Sequence, residues 1–148
     1  EAVYDNAIGY SIRDRDDTTG ELSALGAIRR MKLSCRNVEN LLVTDEVIGG
    51  FDLGWDDLAA HIRAWLESNQ SHPHYSAMRA FESSGFDRES SDLKDVRNDI
   101  LGMLGTNKPW EVIVGRAIAS LIGQADDRGP HSLASFLGPK IVRELLSI

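Results

Sequence analysis

The chain reads AIGYSIRDRDD from Ala7 to Asp17, which places a short apolar segment directly before a group of acids. Residues 7–12 are mostly apolar and β-forming, so they predict a strand. Asp14 and Asp16 follow it in a charged loop. Ligands of open α/β sheets bind beyond the carboxyl ends of the strands, so this loop is the first candidate for a functional site.

A second strand is predicted over residues 30–35, where Met31, Leu33 and Cys35 alternate with polar side chains. A short helix is expected between the strands, over residues 21–27. Asn37 is a plausible N-cap for the helical segment that follows the second strand. Helical spacing of apolar side chains then predicts helices over residues 56–68, 74–83, 92–104 and 110–122, and a last helical region from Ser132 that Gly138-Pro139 divides.

The pattern predicts an α/β fold in two parts. Residues 1–50 form a partial Rossmann-like sheet region, and residues 51–148 form a mainly helical region. Two strands cannot bury both faces of a sheet, so we expect further strands from a preceding segment or from a partner. The chain opens on Glu1 rather than Met, which agrees with its being the later part of a longer protein.

Composition excludes several classes of protein. The 148 residues carry 23 acids and 16 basic side chains, a formal charge of −7, and 42% are hydrophobic. This mixture is typical of a globular chain rather than a disordered one, and the acidic balance argues against binding nucleic acid by bulk charge. We expect no membrane span, because no apolar run approaches about 20 residues. A single cysteine, Cys35, fits a reducing cytoplasmic setting.

Asp14 and Asp16 carry the chemistry that the sequence indicates most clearly. Two carboxylates at i and i+2 on a turn can converge on one hard divalent cation, and Mg²⁺ prefers such oxygen ligands. Two such ions about 4 Å apart form the clamp that phosphodiester chemistry uses. Acid-rich turns are also common without any ligand, so the neighbouring segments decide the interpretation.

Those neighbours resemble a known family. A strand, Asp14-Arg15-Asp16, a short helix, a strand and then RNVENLL from Arg36 to Leu42 resemble the second half of a Toprim (topoisomerase–primase) domain. The version found in OLD-type nucleases, and in related anti-phage nucleases that work with ABC-type ATPases, is the most similar. In those families D-x-D follows the third strand and R-x-[IV]-E-N-[YL]-L follows the next. The resemblance covers about residues 7–50, and Leu41 stands where Tyr is frequent.

The resemblance implies a Mg²⁺- or Mn²⁺-dependent endonuclease in bacterial anti-phage defence. Asp14 and Asp16 would bind the metals, and Asp17 would support them from outside the ligand set. Glu39 would be a carboxylate near the second metal or an anchor at the start of its helix, where an acid also complements the helix dipole. Arg36 would reach a phosphate or pair with Glu39, and the pairing is the preferred expectation because the two residues lie within one turn.

Lys108 is the candidate for the late lysine that such nucleases carry near the scissile phosphate, where it would stabilise developing charge. A loop cation without a catalytic role is the alternative. The expected partners are DNA, bound weakly by this chain alone, and an ABC-type ATPase; a homo-oligomer is left open. The Toprim signature begins with a glutamate after its first strand. No such segment precedes residue 7, so we expect the 148 residues alone not to cleave DNA.

Two other functions remain open. Residues 14–18 read DRDDT and match D-x-D-x-T, the opening motif of haloacid-dehalogenase-like phosphatases, in which Asp14 would be the nucleophile and Asp16 the acid/base. The chain could instead be a non-catalytic helical interaction module, with Trp55 as its interface residue. The segment His72-Pro73-His74 is interpreted first as a polar loop, and metal binding by its histidines is the weaker alternative.

Overall fold

The computed structural model describes residues 9–16, 28–123 and 129–146. It is a mixed α/β structure that opens with two parallel strands, β1 (Gly9–Arg13) and β2 (Ile28–Lys32). Gly9 lies opposite Ile28, and Arg13 lies opposite Lys32. Both predicted strands are confirmed, with shifted bounds. The short helix predicted over residues 21–27 lies outside the described residues.

The alternation predicted after residue 30 is confirmed beyond the end of β2. Met31, Leu33 and Cys35 are buried, whereas the polar side chains between them are partly exposed. The Leu33 N–H donates to the Arg13 carbonyl at 3.0 Å, and the Cys35 N–H donates to the Phe136 carbonyl at 3.1 Å. The extended segment therefore leaves β1 and continues against the last helices of the chain.

Helices and the turns and loops between them make up the rest of the described chain. A 3₁₀ helix over Val38–Val43 follows the strands. The α-helices are α1 (Asp45–Gly49), α2 (Trp55–Ser68), α3 (Tyr75–Ser83), α4 (Arg97–Leu104), α5 (Trp110–Ser120), α6 (Leu133–Leu137) and α7 (Pro139–Ile141), and a π-helical turn covers Val142–Leu146.

The predicted helices are confirmed, with one boundary well displaced. α4 starts five residues later than the predicted 92, because a turn closed by the Val96 N–H on the Leu93 carbonyl precedes it. Gly138 separates α6 from α7 as predicted, with φ of +96° that favours glycine. Among the described residues, no helix combines the length and apolar character that crossing a bilayer requires.

The 3₁₀ helix is a core element, because it packs against α1, α4, α5 and α6. Leu41 and Leu42 are almost completely buried, and burying each is worth about 1.5–3 kcal/mol. They join one apolar cluster drawn from both sides of residue 50, whose largest buried members include Met31, Ile48, Leu58, Ile62, Phe81, Leu93, Ile100, Leu133 and Phe136. The segment that resembles the Toprim motif is thus fixed by the helices behind it.

The strand pair keeps apolar side chains in contact with solvent. Tyr10 and Ile12 on β1 are 43% and 48% exposed, and Ile28 on β2 is 43% exposed. This agrees with the expectation that two strands do not bury both faces of a sheet. The sheet therefore presents an apolar surface that another structural element could cover.

Candidate metal centre

Parallel pairing brings Asp14 and Asp16 to the segment that follows β2. The Asp16 N–H donates to the Arg36 carbonyl at 2.7 Å. One carboxylate oxygen of Asp14 accepts the Val38 N–H at 2.9 Å, and one of Asp16 accepts from the Asn37 amide nitrogen at 2.9 Å. The two acids are therefore held at the start of the 3₁₀ helix, at the carboxyl edge of both strands.

Asp16 has a backbone conformation that shapes this loop. Its φ is +52°, in the left-handed region that aspartate adopts more readily than most non-glycine residues. The chain turns sharply there, and the Asp16 side chain meets Asn37 while Asp14 meets the next residue along. Asp14 and Asp16, two positions apart in the sequence, thus both hydrogen-bond to the segment at residues 37–38.

Asn37 is a member of the site that the sequence did not reveal. The residue occupies the predicted N-cap position, with extended dihedral angles, but its side chain binds Asp16 instead of capping the helix. The Asn40 side chain accepts the Asn37 N–H in its place, at 2.9 Å. Asn37 is 1% exposed, and within the described part of the chain its Oδ1 has no hydrogen-bond partner.

Glu39 lies in the same segment and is 5% exposed. Its Oε1 accepts from Arg97 at 2.9 Å, and its Oε2 has no hydrogen-bond partner among the described residues. The expected pairing of Arg36 with Glu39 is wrong, because Arg97 on α4 takes that place. The Arg97 guanidinium also lies 5.6 Å from the centre of the Trp110 ring.

The oxygen donors here fit a hard divalent cation. The Asp16 carboxylate contacts the buried Asn37 amide, whose Oδ1 is unpaired among the described residues, and Glu39 Oε2 is a second buried oxygen without a partner in the same segment. Mg²⁺ and Mn²⁺ favour carboxylate and amide oxygens. Within the described ranges, however, Asp14, Asp16 and Glu39 do not lie within 4.8 Å of one another as a three-ligand cluster. A single ion held by all three acids is therefore not preformed in the described structure.

Arg15, between the two acids, fastens the loop to the rest of the fold. Its guanidinium donates to the Ser34 carbonyl at 3.0 Å and to the Ser90 hydroxyl at 3.1 Å, and lies 4.0 Å from Glu89. These partners come from the end of β2 and from the loop after α3. The central residue of D-x-D therefore positions the two carboxylates, a role that the sequence did not indicate.

Lys108 lies in the loop before α5. It is exposed, and it lines a pocket of about 350 Å³ together with Glu46, Phe51 and Arg116. Asp14, Asp16 and Glu39 do not line that pocket. In the described part of the chain, no hydrogen bond or ion pair joins Lys108 to Asp14, Asp16 or Glu39, and its catalytic role stays a prediction. Asp17 lies outside the described residues.

Cys35 is buried beside Asn37 and is chemically unreactive. Burial raises the pKa of its thiol to about 12, and its Sγ donates to the Asn37 carbonyl at 3.2 Å. The thiolate is the nucleophilic form of cysteine, so this side chain supplies no nucleophile near neutral pH. Its contribution is to packing and to the position of Asn37.

Trp55 has partners within the chain. Its ring packs edge-to-face on Phe86 and Phe81, at centroid distances of 5.3 and 6.2 Å, and the Arg88 guanidinium lies 4.4 Å above it. Trp55 therefore packs within the chain and remains partly exposed, and its interface role stays a prediction. Trp65 and Trp110 pack against the core as expected.

Asp14, Asp16, Asn37 and Glu39 define the candidate metal centre. Its acids follow one strand, and its amide and buried glutamate follow the neighbouring parallel strand. Arg15 and Arg97 hold the two halves in place. Comparison with known proteins adds no assignment, because no family model, curated protein or solved structure matches the chain.

Proposed function

We propose that this chain is part of a Toprim-like, metal-dependent endonuclease that cleaves nucleic-acid phosphodiesters in bacterial anti-phage defence. One observation carries the proposal: the D-x-D after β1 is hydrogen-bonded to the start of the RNVENLL segment after the parallel β2. These are the two motifs on which the resemblance rests. Their contact in space supports it independently of their order in the sequence.

Asp14 and Asp16 would hold Mg²⁺ or Mn²⁺. When bound, the ion supplies Lewis-acid polarisation of a phosphodiester oxygen and activates water. Asn37 orients Asp16 through its amide, and Arg15 keeps the loop against the body of the protein. Glu39 either approaches the metal through its unpaired oxygen or remains an anchor for the segment through Arg97.

The charge of the chain bears on its partners. A net charge of −7 predicts weak DNA binding by this chain alone, although bound cations would reverse the sign locally at Asp14 and Asp16. The exposed apolar side chains of the strand pair are compatible with further sheet strands, from the same protein or a partner. We propose an ABC-type ATPase as partner or domain, in the cytoplasm, and leave homo-oligomerisation open.

Metal-dependent DNA cleavage by the intact system that contains this chain tests the proposal. Asp14→Ala is expected to reduce Mg²⁺- or Mn²⁺-dependent plasmid nicking at least tenfold, because it removes a proposed metal ligand. Asp56→Ala, which removes an exposed acid on α2, is the matched control and should leave nicking unchanged. The 148 residues alone are expected not to nick plasmid.

Two outcomes separate the alternatives. Full activity of the Asp14→Ala system would contradict the nuclease proposal and favour a non-catalytic module. Metal-dependent nicking by the 148 residues alone, abolished by Asp14→Ala, would instead show that this chain needs no further catalytic acid.

A further inference from the structure

A second group of metal-ligand side chains lies away from the strand edge, where the loop after α2 meets α4. Nδ1 of His74 is 2.8 Å from Oδ2 of Asp99, and Nδ1 of His72 accepts the His74 N–H at 3.0 Å. The two imidazole rings are 4.9 Å apart. One ligand atom from each of the three residues lies within 4.8 Å of the other two, the one such cluster across the described ranges.

The loop that carries the histidines is well supported. The His72 ring packs edge-to-face against Trp65 of α2 at 5.1 Å. The His72 N–H donates to the Asn69 carbonyl at 2.9 Å, and the Asn69 amide donates to the Trp65 carbonyl at 2.8 Å. Asp99 is fixed on α4, with a side chain 17% exposed. The ligands are therefore positioned before any ion arrives, which lowers the ordering cost of binding.

We propose that His72, His74 and Asp99 bind one divalent ion of the zinc class. Two imidazoles and one carboxylate form a donor set typical of Zn²⁺, in which water takes the fourth position. The same set suits Mg²⁺ poorly, because Mg²⁺ prefers oxygen ligands. Ligand atoms about 2.1 Å from a tetrahedral ion lie about 3.4 Å apart, so small side-chain rotations close the site from the observed spacing.

Binding exchanges a proton for the metal. In the hydrogen bond between His74 and Asp99, one proton occupies the space between a nitrogen and an oxygen that are both metal ligands. A protonated His74 imidazole releases its Nδ1 proton to solvent when the ion takes that place, whereas in a neutral imidazole the proton moves to Nε2, so that His74 binds the ion as a neutral ligand in either case. A surface cleft along residues 67–73 gives the ion direct access to His72.

The bound ion would join the loop to α4. The loop connects α2 to α3, and Asp99 lies in the first turn of α4, so the three ligands come from two separate parts of the helical region. This site shares no residue with Asp14 and Asp16 and differs from them in ligand chemistry. The ion would hold the loop to α4 and keep one position for water, and the site does not depend on the nuclease proposal.

Isothermal titration of the 148-residue chain with Zn²⁺ tests the proposal. We expect one equivalent to bind, and His74→Ala and Asp99→Asn to weaken this binding at least tenfold. His61→Ala, which removes an exposed histidine on α2, is the matched control and should bind as the wild type does. The double variant Asp14→Asn/Asp16→Asn should also retain this zinc site.

A measurement on the wild-type chain keeps the test independent of how the variants fold. Zn²⁺ should shift the imidazole NMR signals of His72 and His74 and leave those of His61 and His131 in place. Absence of zinc binding, zinc binding by the His72→Ala and His74→Ala variants as tight as that of the wild type, or zinc shifts confined to His61 or His131 would overturn the proposal.

Discussion

Asn40→Ala is expected to lower the free energy of unfolding by about 3 kcal/mol. Asn40 is completely buried, and its side chain makes three hydrogen bonds to the backbone. Oδ1 accepts the Asn37 N–H at 2.9 Å, and Nδ2 donates to the Arg88 and Ser91 carbonyls, both at 2.8 Å. Alanine leaves three backbone groups without this partner, and each such loss costs about 1–3 kcal/mol. Urea denaturation measures the effect.

Two further variants sharpen this test. Asn40→Asp keeps the acceptor for Asn37 but places a carboxylate against two carbonyl oxygens, so it should destabilise the chain at least as much. Asn98→Ala, at an exposed position on α4, should change the stability by less than about 0.5 kcal/mol. A loss below about 1 kcal/mol for Asn40→Ala would contradict the idea that this asparagine joins the motif segment to the loop after α3.

Arg97→Met is expected to lower the free energy of unfolding by about 2–3 kcal/mol, because it leaves the buried Glu39 carboxylate without its cation. Breaking a fully buried pair costs about 3–5 kcal/mol. The Arg97 side chain is 37% exposed, so the lower range applies. Methionine keeps an unbranched apolar side chain, but it loses the guanidinium over the Trp110 ring as well as the charge. Thermal and urea unfolding at neutral pH measure the loss.

A double-mutant cycle separates this pair from general damage. Glu39→Gln combined with Arg97→Met should lose less than the sum of the two single variants, because the uncompensated charge is gone. Arg79→Met removes one member of the exposed Arg79–Glu82 pair and should cost less than about 1 kcal/mol. Strict additivity in the cycle would show that Arg97 does not neutralise Glu39.

Local patterns explain why much of the fold could be predicted. The alternation from Met31 to Cys35 reports burial on one face of an extended segment, and the structure has that burial. Helical spacing located α2, α3 and α5 closely. The start of α4 was misplaced because a turn at residues 93–96 carries apolar side chains at helical spacing without continuing the helix.

The supporting residues of the site could not be predicted, because their partners are distant in sequence. Arg97 reaches Glu39 across 58 positions, and Arg15 reaches Ser90 across 75. The sequence offered Arg36 as the partner of Glu39 only because it lies one turn away. Long-range pairing of this kind follows from how α4 packs on the 3₁₀ helix, which no local pattern encodes.

Asn37 shows a second limit of prediction from the sequence. Its position before a helical segment predicts an N-cap, and the backbone does adopt that conformation. The side chain instead binds Asp16, because the parallel strand pair brings the acid loop within reach. Which of two polar partners a side chain chooses depends on the tertiary fold, so the sequence placed Asn37 correctly and assigned its contact incorrectly.

The central claim is that Asp14 and Asp16 bind a divalent metal at the start of the 3₁₀ helix. Paramagnetic Mn²⁺ broadens NMR signals near its binding site, so a titration of the isotopically labelled 148-residue chain locates the ion directly. Asp14→Asn and Asp16→Asn remove charge with little change of shape and provide matched variants. Asp56→Asn, on the exposed face of α2, is the control.

The account predicts that the Val38 backbone amide and the Asn37 side-chain amide broaden first in the wild type, since these groups bind the two carboxylates. Both signals should stay sharp at the same Mn²⁺ concentration in Asp14→Asn and Asp16→Asn, but not in Asp56→Asn. Broadening centred on other acids, or equal broadening of Val38 and Asn37 in wild type and in both site variants, would contradict the account.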